Sequence, residues 1–387
     1  MKNHLTFILF FLLSFICFQF QESTQAQNQK KLDDKINKVE LFKKESFNLK
    51  PGIVRHLIHT ENKRGPVVAN VLEVDLSVED ISVKVGLPRK EKKYSRDFLT
   101  NIVKNEMAYA GINGNYFDLI VGNPLGTVVT NGLWFTGPIY NRVAIGFSSD
   151  KKISIDKVSL IGKATVLRGF RKKILTTFET DGLNTPIHLF NKIGLFNYNW
   201  GEKLSTPEDK IFYLTKGKCI KKIKQTNDVD IPIDGYVLVA KDEKYLNFLK
   251  KRDCIKIDWL SNPDWSNIKE AISGGPYLIM DGEIYIDAKE QRIKFSKKEN
   301  YAPRSAIGID SNNKLYLIAV DGRDNDYSVG LTLEELAELL KKLNLKEAIN
   351  LDGGGSTTLV AGGEILNKLS ERHERKISNA LLIFYKD

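Results

Sequence analysis

The chain has 387 residues, 42% of them hydrophobic and 27% charged. That balance excludes a disordered or low-complexity polymer and leaves enough apolar residues for a sizeable core. The formal net charge of +10 at pH 7 would draw acidic polymers or phosphates. No nucleic-acid motif accompanies it, so nucleic acid is discounted and most lysines are read as solvated surface.

Lys2 opens a short basic region, and residues 5–20 are a nearly unbroken apolar run. Residues 21–26 are polar or small, and Thr24-Gln25-Ala26 fits a small-x-small cleavage site. The run is short for a membrane span, so residues 1–26 are read as a secretory signal peptide. The mature chain is then expected to be secreted, periplasmic or on the cell surface, with no transmembrane span. Cys17 offers a lipoprotein alternative, weakened by Ile16 where a small residue is wanted. Residues 27–50 are polar and lysine-rich and read as a tether or frayed helix. From 51 to 387 no repeat or low-complexity linker intervenes, which favours one large domain.

Residues 67–75 and 81–86 alternate as short strands. Ser95 is the expected cap of a helix over 96–106. Residues 107–112 then enter a strand that ends in Asn113-Gly114-Asn115-Tyr116-Phe117. The middle reads as short strands at 142–147, 152–155, 210–214, 236–240 and 254–260. Turns such as Asn131-Gly132, Asp181-Gly182, Asp234-Gly235 and Asp281-Gly282 separate them. Cys219 and Cys254 each head a strand-like run. An exported chain could pair them, and such a link contributes roughly 3–4 kcal/mol. The sequence alone does not place them side by side.

The C-terminal third is the clearest. Residues 315–320 form an apolar strand ending at Asp321. Thr332 caps a helix whose apolar positions Leu333, Leu336, Ala337, Leu339, Leu340 and Leu343 recur at helical spacing. Glu335 completes a capping box, and Leu331 can staple onto Leu336. A strand over 348–351 follows and ends at Asp352. A crossover helix makes the two strands parallel and adjacent or nearly so, which puts Asp321 and Asp352 on one sheet edge. The expected fold class is α+β, a mixed twisted sheet with flanking helices.

The run Asp352-Gly353-Gly354-Gly355-Ser356-Thr357 follows a buried strand. Three glycines there are costly unless the backbone turns tightly or approaches a ligand, and successive N–H groups suit an anion. Taken singly, Arg304 reads as a surface arginine, Asp321-Gly322 as a turn, and Asn113 and Asn115 as local turn formers. Ser273-Gly274-Gly275-Pro276 reads as structural. Together they describe a site for an anionic, sugar-like substrate. Asp352 is the carboxylate beside the reacting carbon, as nucleophile or base, and Asp321 is an acid/base or orienting group. Arg304 and Arg323 bind phosphate. Gly353, Gly354, Gly355, Ser356 and Thr357 form the cradle, and Asn113 and Asn115 face the substrate. No cofactor is required by the sequence, although a divalent cation near Asp321 and Asp352 is compatible with it.

The ordered set INGNYFD (112–118), RVAIGF (142–147), ISGGPYLIMDGE (272–283), APRSAIGID (302–310), VDGR (320–323), the 330–360 segment and NALLIF (379–384) resembles the phosphodiester glycosidase family. The resemblance runs from about residue 50 to the C-terminus and is loosest over 155–260. It implies hydrolysis of a sugar-1-phosphodiester at the anomeric C–O bond, releasing free sugar and a phosphomonoester; it does not carry over a substrate, and an envelope polymer or exopolysaccharide is the separate expectation. It carries over to Arg304, Asp321 and the 352–356 turn, and less firmly to Asn113. Ser305 stands where threonine is common, and a cysteine-rich tail is missing. Two rival readings remain at this stage: a phosphodiesterase that cleaves the P–O bond, and a non-catalytic glycan-binding module.

Overall fold

Alternating β-branched and polar residues dominate this sequence, and the computed structural model turns nearly all of them into strands. It describes residues 42–90, 93–294 and 301–386. The expected signal peptide, Cys17 and residues 27–41 lie outside that range. Of the expected tether, Lys43–Lys50 is a strand beside Ile53–Asn62.

The α+β expectation is corrected here: the protein is mostly β, with two α-helices among the described residues, Leu99–Glu106 and Leu333–Lys342. The sheet that carries the site has eight strands. From Ile53–Asn62 across to Glu283–Ile284, every neighbouring pair in it is antiparallel. Two-residue turns explain only the local hairpins, here and in the five-stranded sheet that holds Asn131-Gly132. Asn131-Gly132 and Asp281-Gly282 both adopt positive φ, the geometry that closes a tight hairpin.

The crossover inference survives inside this different fold. Leu315–Val320 and Leu345–Asn350 run in the same direction, because each pairs antiparallel with Arg304–Asp310 between them. Their helix is Leu333–Lys342, with Thr332 and Glu335 forming the capping box. The other helix starts at Leu99, not at residue 96, and Ser95 does not cap it. Its first-turn Thr100 instead donates from its N–H and hydroxyl to Glu374, at 3.0 and 2.7 Å.

The large sheet buries both faces. Leu72, Ile307, Leu317 and Ile349 point into a core shared with two five-stranded sheets, through Ile112, Leu381, Ile145 and Ile272. The alternate positions Val71, Ala306, Ile318 and Ala348 pack under the Leu333–Lys342 helix. This period-two alternation fixes the register, since a one-residue slip would exchange the two faces. A second eight-stranded sheet, from Ser159 to Asn262, has its own apolar clusters. Within it Cys219 and Cys254 sit opposite each other and form a disulfide. No helix among the described residues is long and apolar enough to cross a membrane.

Candidate active site

Antiparallel pairing brings the start of one strand beside the ends of its neighbours. Arg304 opens its strand opposite Val320, and Ala306 lies opposite Asn350. Arg304, Asp321 and Asp352 therefore gather at one end of the sheet. The strand Ala110–Asn113, from a five-stranded sheet, ends at the same place. The Asn113 side chain donates to the Asp352 carbonyl at 2.6 Å, and the Asp352 N–H donates to the Gly114 carbonyl at 3.2 Å. Asp352 is thus pinned where two sheets meet.

A cleft of about 320 Å³ opens there, lined by Arg304, Asp352, Gly353, Gly354 and Arg323, with Tyr116, Phe117, Leu119, Ala302, Asn350 and Arg375 around them. Arg304 is 3% exposed, and its Nε donates to the Leu331 carbonyl at 2.9 Å. That bond fixes the guanidinium plane. Asp352 is the one carboxylate among the described residues that line the cleft, and three guanidiniums line it too. The local field favours an anion.

The glycine turn has one backbone reason for its composition. Gly354 has φ of +63°, a conformation that side chains with a Cβ adopt only at a cost. A Cβ on Gly355 would meet only the side-chain ends of Glu371 and Arg375, which fold over the turn and can move aside. The expected N–H cradle is only partly available. The Gly354 N–H donates to the Pro303 carbonyl at 2.8 Å, and those of Ser356 and Thr357 donate back to Gly353 and Gly354. Ser356 and Thr357 are buried, and neither hydroxyl has a hydrogen-bond partner or lines the cleft.

Three other expected residues stand behind the cleft wall. Asn113 is fully buried, and its Oδ1 accepts from the Ser305 hydroxyl at 2.7 Å and the Thr358 N–H at 3.2 Å. Asn115 bonds Leu125, Thr127, Ser273 and Asn379. Both tie loops together and do not line the cleft. Asp321 is 1% exposed and is likewise absent from the lining. Its carboxylate accepts from the Lys368 N–H at 2.9 Å and the Tyr327 hydroxyl at 3.2 Å. Burial pushes its carboxyl up to about 7, against these hydrogen bonds that pull it down.

Comparison with known proteins bears directly on this edge. Residues 211–384 match the family model described as phosphodiester glycosidase. Over that range the chain is similar to the phosphodiester glycosidase family. Members of that family are hydrolases. The matched range contains Arg304, Asp321, Arg323 and the 352–357 turn, whereas Asn113, Asn115 and Tyr116 precede it. N-acetylglucosamine-1-phosphodiester alpha-N-acetylglucosaminidase of Mus musculus is 37% identical over 111 residues, which are 26% of this chain and 21% of the mouse protein. The Homo sapiens protein of that name is 38% identical over the same shares. The chain thus matches about a fifth of the length of these relatives. The crystal structure of a Synechocystis protein aligns with a TM-score of 0.77 at 24% identity, covering 89% of this chain and 64% of that one. It shares the fold.

Around the cleft, some residues carry no obvious sequence signal of their role. Tyr116 lies within the Asn113 to Phe117 run. Its hydroxyl donates to the Gly275 carbonyl at 3.0 Å and accepts from the Asn350 side chain at 2.8 Å. Burial, followed by the nearby Asp352 charge, raises its pKa, so it stays a neutral phenol. The structural turn at Gly275 therefore holds two cleft-lining side chains, Tyr116 and Asn350, from behind. Arg375 sits in a charged run, 371–376, that reads as solvated surface, yet it lines the cleft and pairs with Glu371. No cluster of three or more His, Cys, Asp or Glu that could hold a metal occurs among the described residues.

Proposed function

We propose that this protein hydrolyses the anomeric C–O bond of a sugar-1-phosphodiester, releasing free sugar and a phosphomonoester. The observation that carries the reading is the composition of the cleft: one carboxylate, Asp352, lines it together with the guanidiniums of Arg304, Arg323 and Arg375, the last two of which also pair with Glu371. Glycoside hydrolysis ordinarily uses two carboxyl groups, one to protonate the departing oxygen. A phosphomonoester departs as a stable anion and needs no strong acid. Arginines that hold its growing charge take that part electrostatically. Asp352 then acts at the anomeric carbon, either as nucleophile or as the base that activates water. Asp321 is a positioning residue: it ties Lys368 and Tyr327 behind the arginine-bearing Asp321–Arg323 turn.

The substrate is proposed to be an envelope polymer or exopolysaccharide met outside the cytoplasm. The Cys219–Cys254 disulfide supports an oxidising compartment, and the apolar N-terminal run supports export.

A panel of sugar-1-phosphodiesters incubated in oxygen-18 water tests the reading. Label in the released sugar is the expected result. Label in the phosphate would assign P–O cleavage instead, and tight binding without turnover would leave a glycan-binding module.

A further inference from the structure

The rim of the cleft carries three consecutive apolar side chains that face water. Leu119 is 73% exposed, Ile120 93% and Val121 53%. Single exposed apolar residues are ordinary, but a contiguous group beside a binding site is informative. This loop is not slack. The Asp118 carboxylate accepts from the N–H groups of Ile120 and Val121, both at 2.8 Å. The Gly122 N–H closes back on the Asp118 carbonyl at 2.7 Å, and the Asp118 N–H on the Asn123 carbonyl at 2.9 Å. Asn123 is itself buried and donates to the Trp200 carbonyl at 2.8 Å. Arg96 stacks on Phe117 at 5.6 Å and reaches the Leu119 carbonyl at 3.4 Å. The backbone is therefore braced so that the apolar tip stands out from the surface.

Leu119 also lines the cleft with Arg304 and Asp352. A molecule seated on those residues lies against the foot of the tip. A sugar ring is a poor partner for Leu, Ile and Val, because its hydroxyls would lose water without gaining hydrogen bonds. The diester has one half whose chemistry is free to be apolar, the alcohol on the far side of the phosphate.

Resting on the function proposed above, we propose that Leu119, Ile120 and Val121 form a subsite for an apolar alcohol, which narrows the substrate from exopolysaccharide to an envelope sugar-1-phosphodiester of a lipid-like alcohol. Water adds across the anomeric bond: the sugar keeps the new hydroxyl, the C–O bond to phosphate breaks, and the alkyl phosphate leaves with the electron pair.

The test compares methyl and dodecyl diesters of the sugar phosphate that the panel shows to be best hydrolysed, each below its micelle concentration, with the purified protein. The expected kcat/KM ratio favours dodecyl by about tenfold or more, as burial of several methylenes requires. The triple variant Leu119→Ser, Ile120→Ser, Val121→Ser brings that ratio close to one, while Ile120→Leu keeps it. Equal hydrolysis of both esters by the natural protein overturns the subsite and leaves the glycosidase reading intact. A dodecyl preference that survives in the triple variant also overturns it. Hydrolysis of no sugar-1-phosphodiester in the panel removes the glycosidase reading, and the subsite with it. A concentration-dependent dimer in sedimentation that only the triple variant abolishes would assign the tip to contact between two copies instead.

Discussion

Asp352 and Arg304 reach the cleft through local sequence, since each follows or opens a strand at the same sheet end. Asp352→Asn keeps the shape and the two backbone bonds but removes the charge, so kcat should fall by roughly 10²–10⁴-fold. Arg304→Ala should cost on the order of 10²–10³ in kcat; Arg304→Lys should cost less because the ammonium keeps the charge, yet fall short of the natural rate because it lacks the planar fork. Full activity in Arg304→Ala would remove Arg304 from the mechanism. Asp321 calls for a different experiment. Its folded carboxyl is held up at about 7 by burial, against about 3.9 in the unfolded chain. Its contribution is therefore complete below pH 4 and is lost as pH rises toward 7. Asp321→Asn should remove that term, so the natural protein's stability relative to the variant should decline between pH 4 and 7 and level off above. Urea denaturation of both proteins across that range checks it, and a constant difference would contradict the assignment. The motifs containing Asn113, Asn115 and Asp321 were legible in the sequence, but their burial was not. It depends on Ser305, Asn379 and Lys368, which are distant in the chain and carry no mark of the contact.

Among the elements, the Leu333–Lys342 helix was read correctly down to its cap, because capping is local chemistry: a threonine oxygen, an N–H three residues on, and a returning glutamate. Thr332→Ala should lower stability by about 1 kcal/mol. The helix lies outside the cleft lining, so kcat should stay near its natural value. A larger loss of activity than of stability would mean that the crossover helix tunes the sheet edge. The Leu99–Glu106 helix was misplaced for the opposite reason. Its N-terminal partner is Glu374, more than 270 residues away, and Ser95 offered a local cap that the fold does not use. Strand positions in the middle were legible from alternation and turns, whereas their assembly into antiparallel sheets was not. The same alternation suits either a mixed or an antiparallel sheet, and it was the two-residue turns that favoured hairpins.

At the scale of the whole molecule, the site and the disulfide belong to different sheets. The cleft lies where the eight-stranded sheet that contains Arg304–Asp310 meets the strand Ala110–Asn113, and none of its lining residues comes from residues 159–262. Cys219 and Cys254 close a loop of 35 residues within the other eight-stranded sheet, joining strands that share only one paired position. Backbone hydrogen bonds flank the link, from the Ile220 N–H to the Asp253 carbonyl at 2.8 Å, from the Arg252 N–H to the Ile220 carbonyl at 2.9 Å and from the Ile255 N–H to the Lys218 carbonyl at 2.8 Å, so the disulfide reinforces a contact that the backbone also makes. Opening the link frees a loop of that size in the unfolded chain, a change worth about 3–4 kcal/mol by the chain-entropy account. The double variant Cys219→Ser, Cys254→Ser should therefore unfold at lower denaturant while hydrolysing substrate at the natural rate at 25 °C, because Arg304, Asp352 and the glycine turn are held by a separate core. Denaturation and rate measurements on the same preparations decide between that independence and its opposite. If activity fell while the variant remained folded, the second sheet would be acting on the cleft, and the two halves would have to be treated as one mechanical unit.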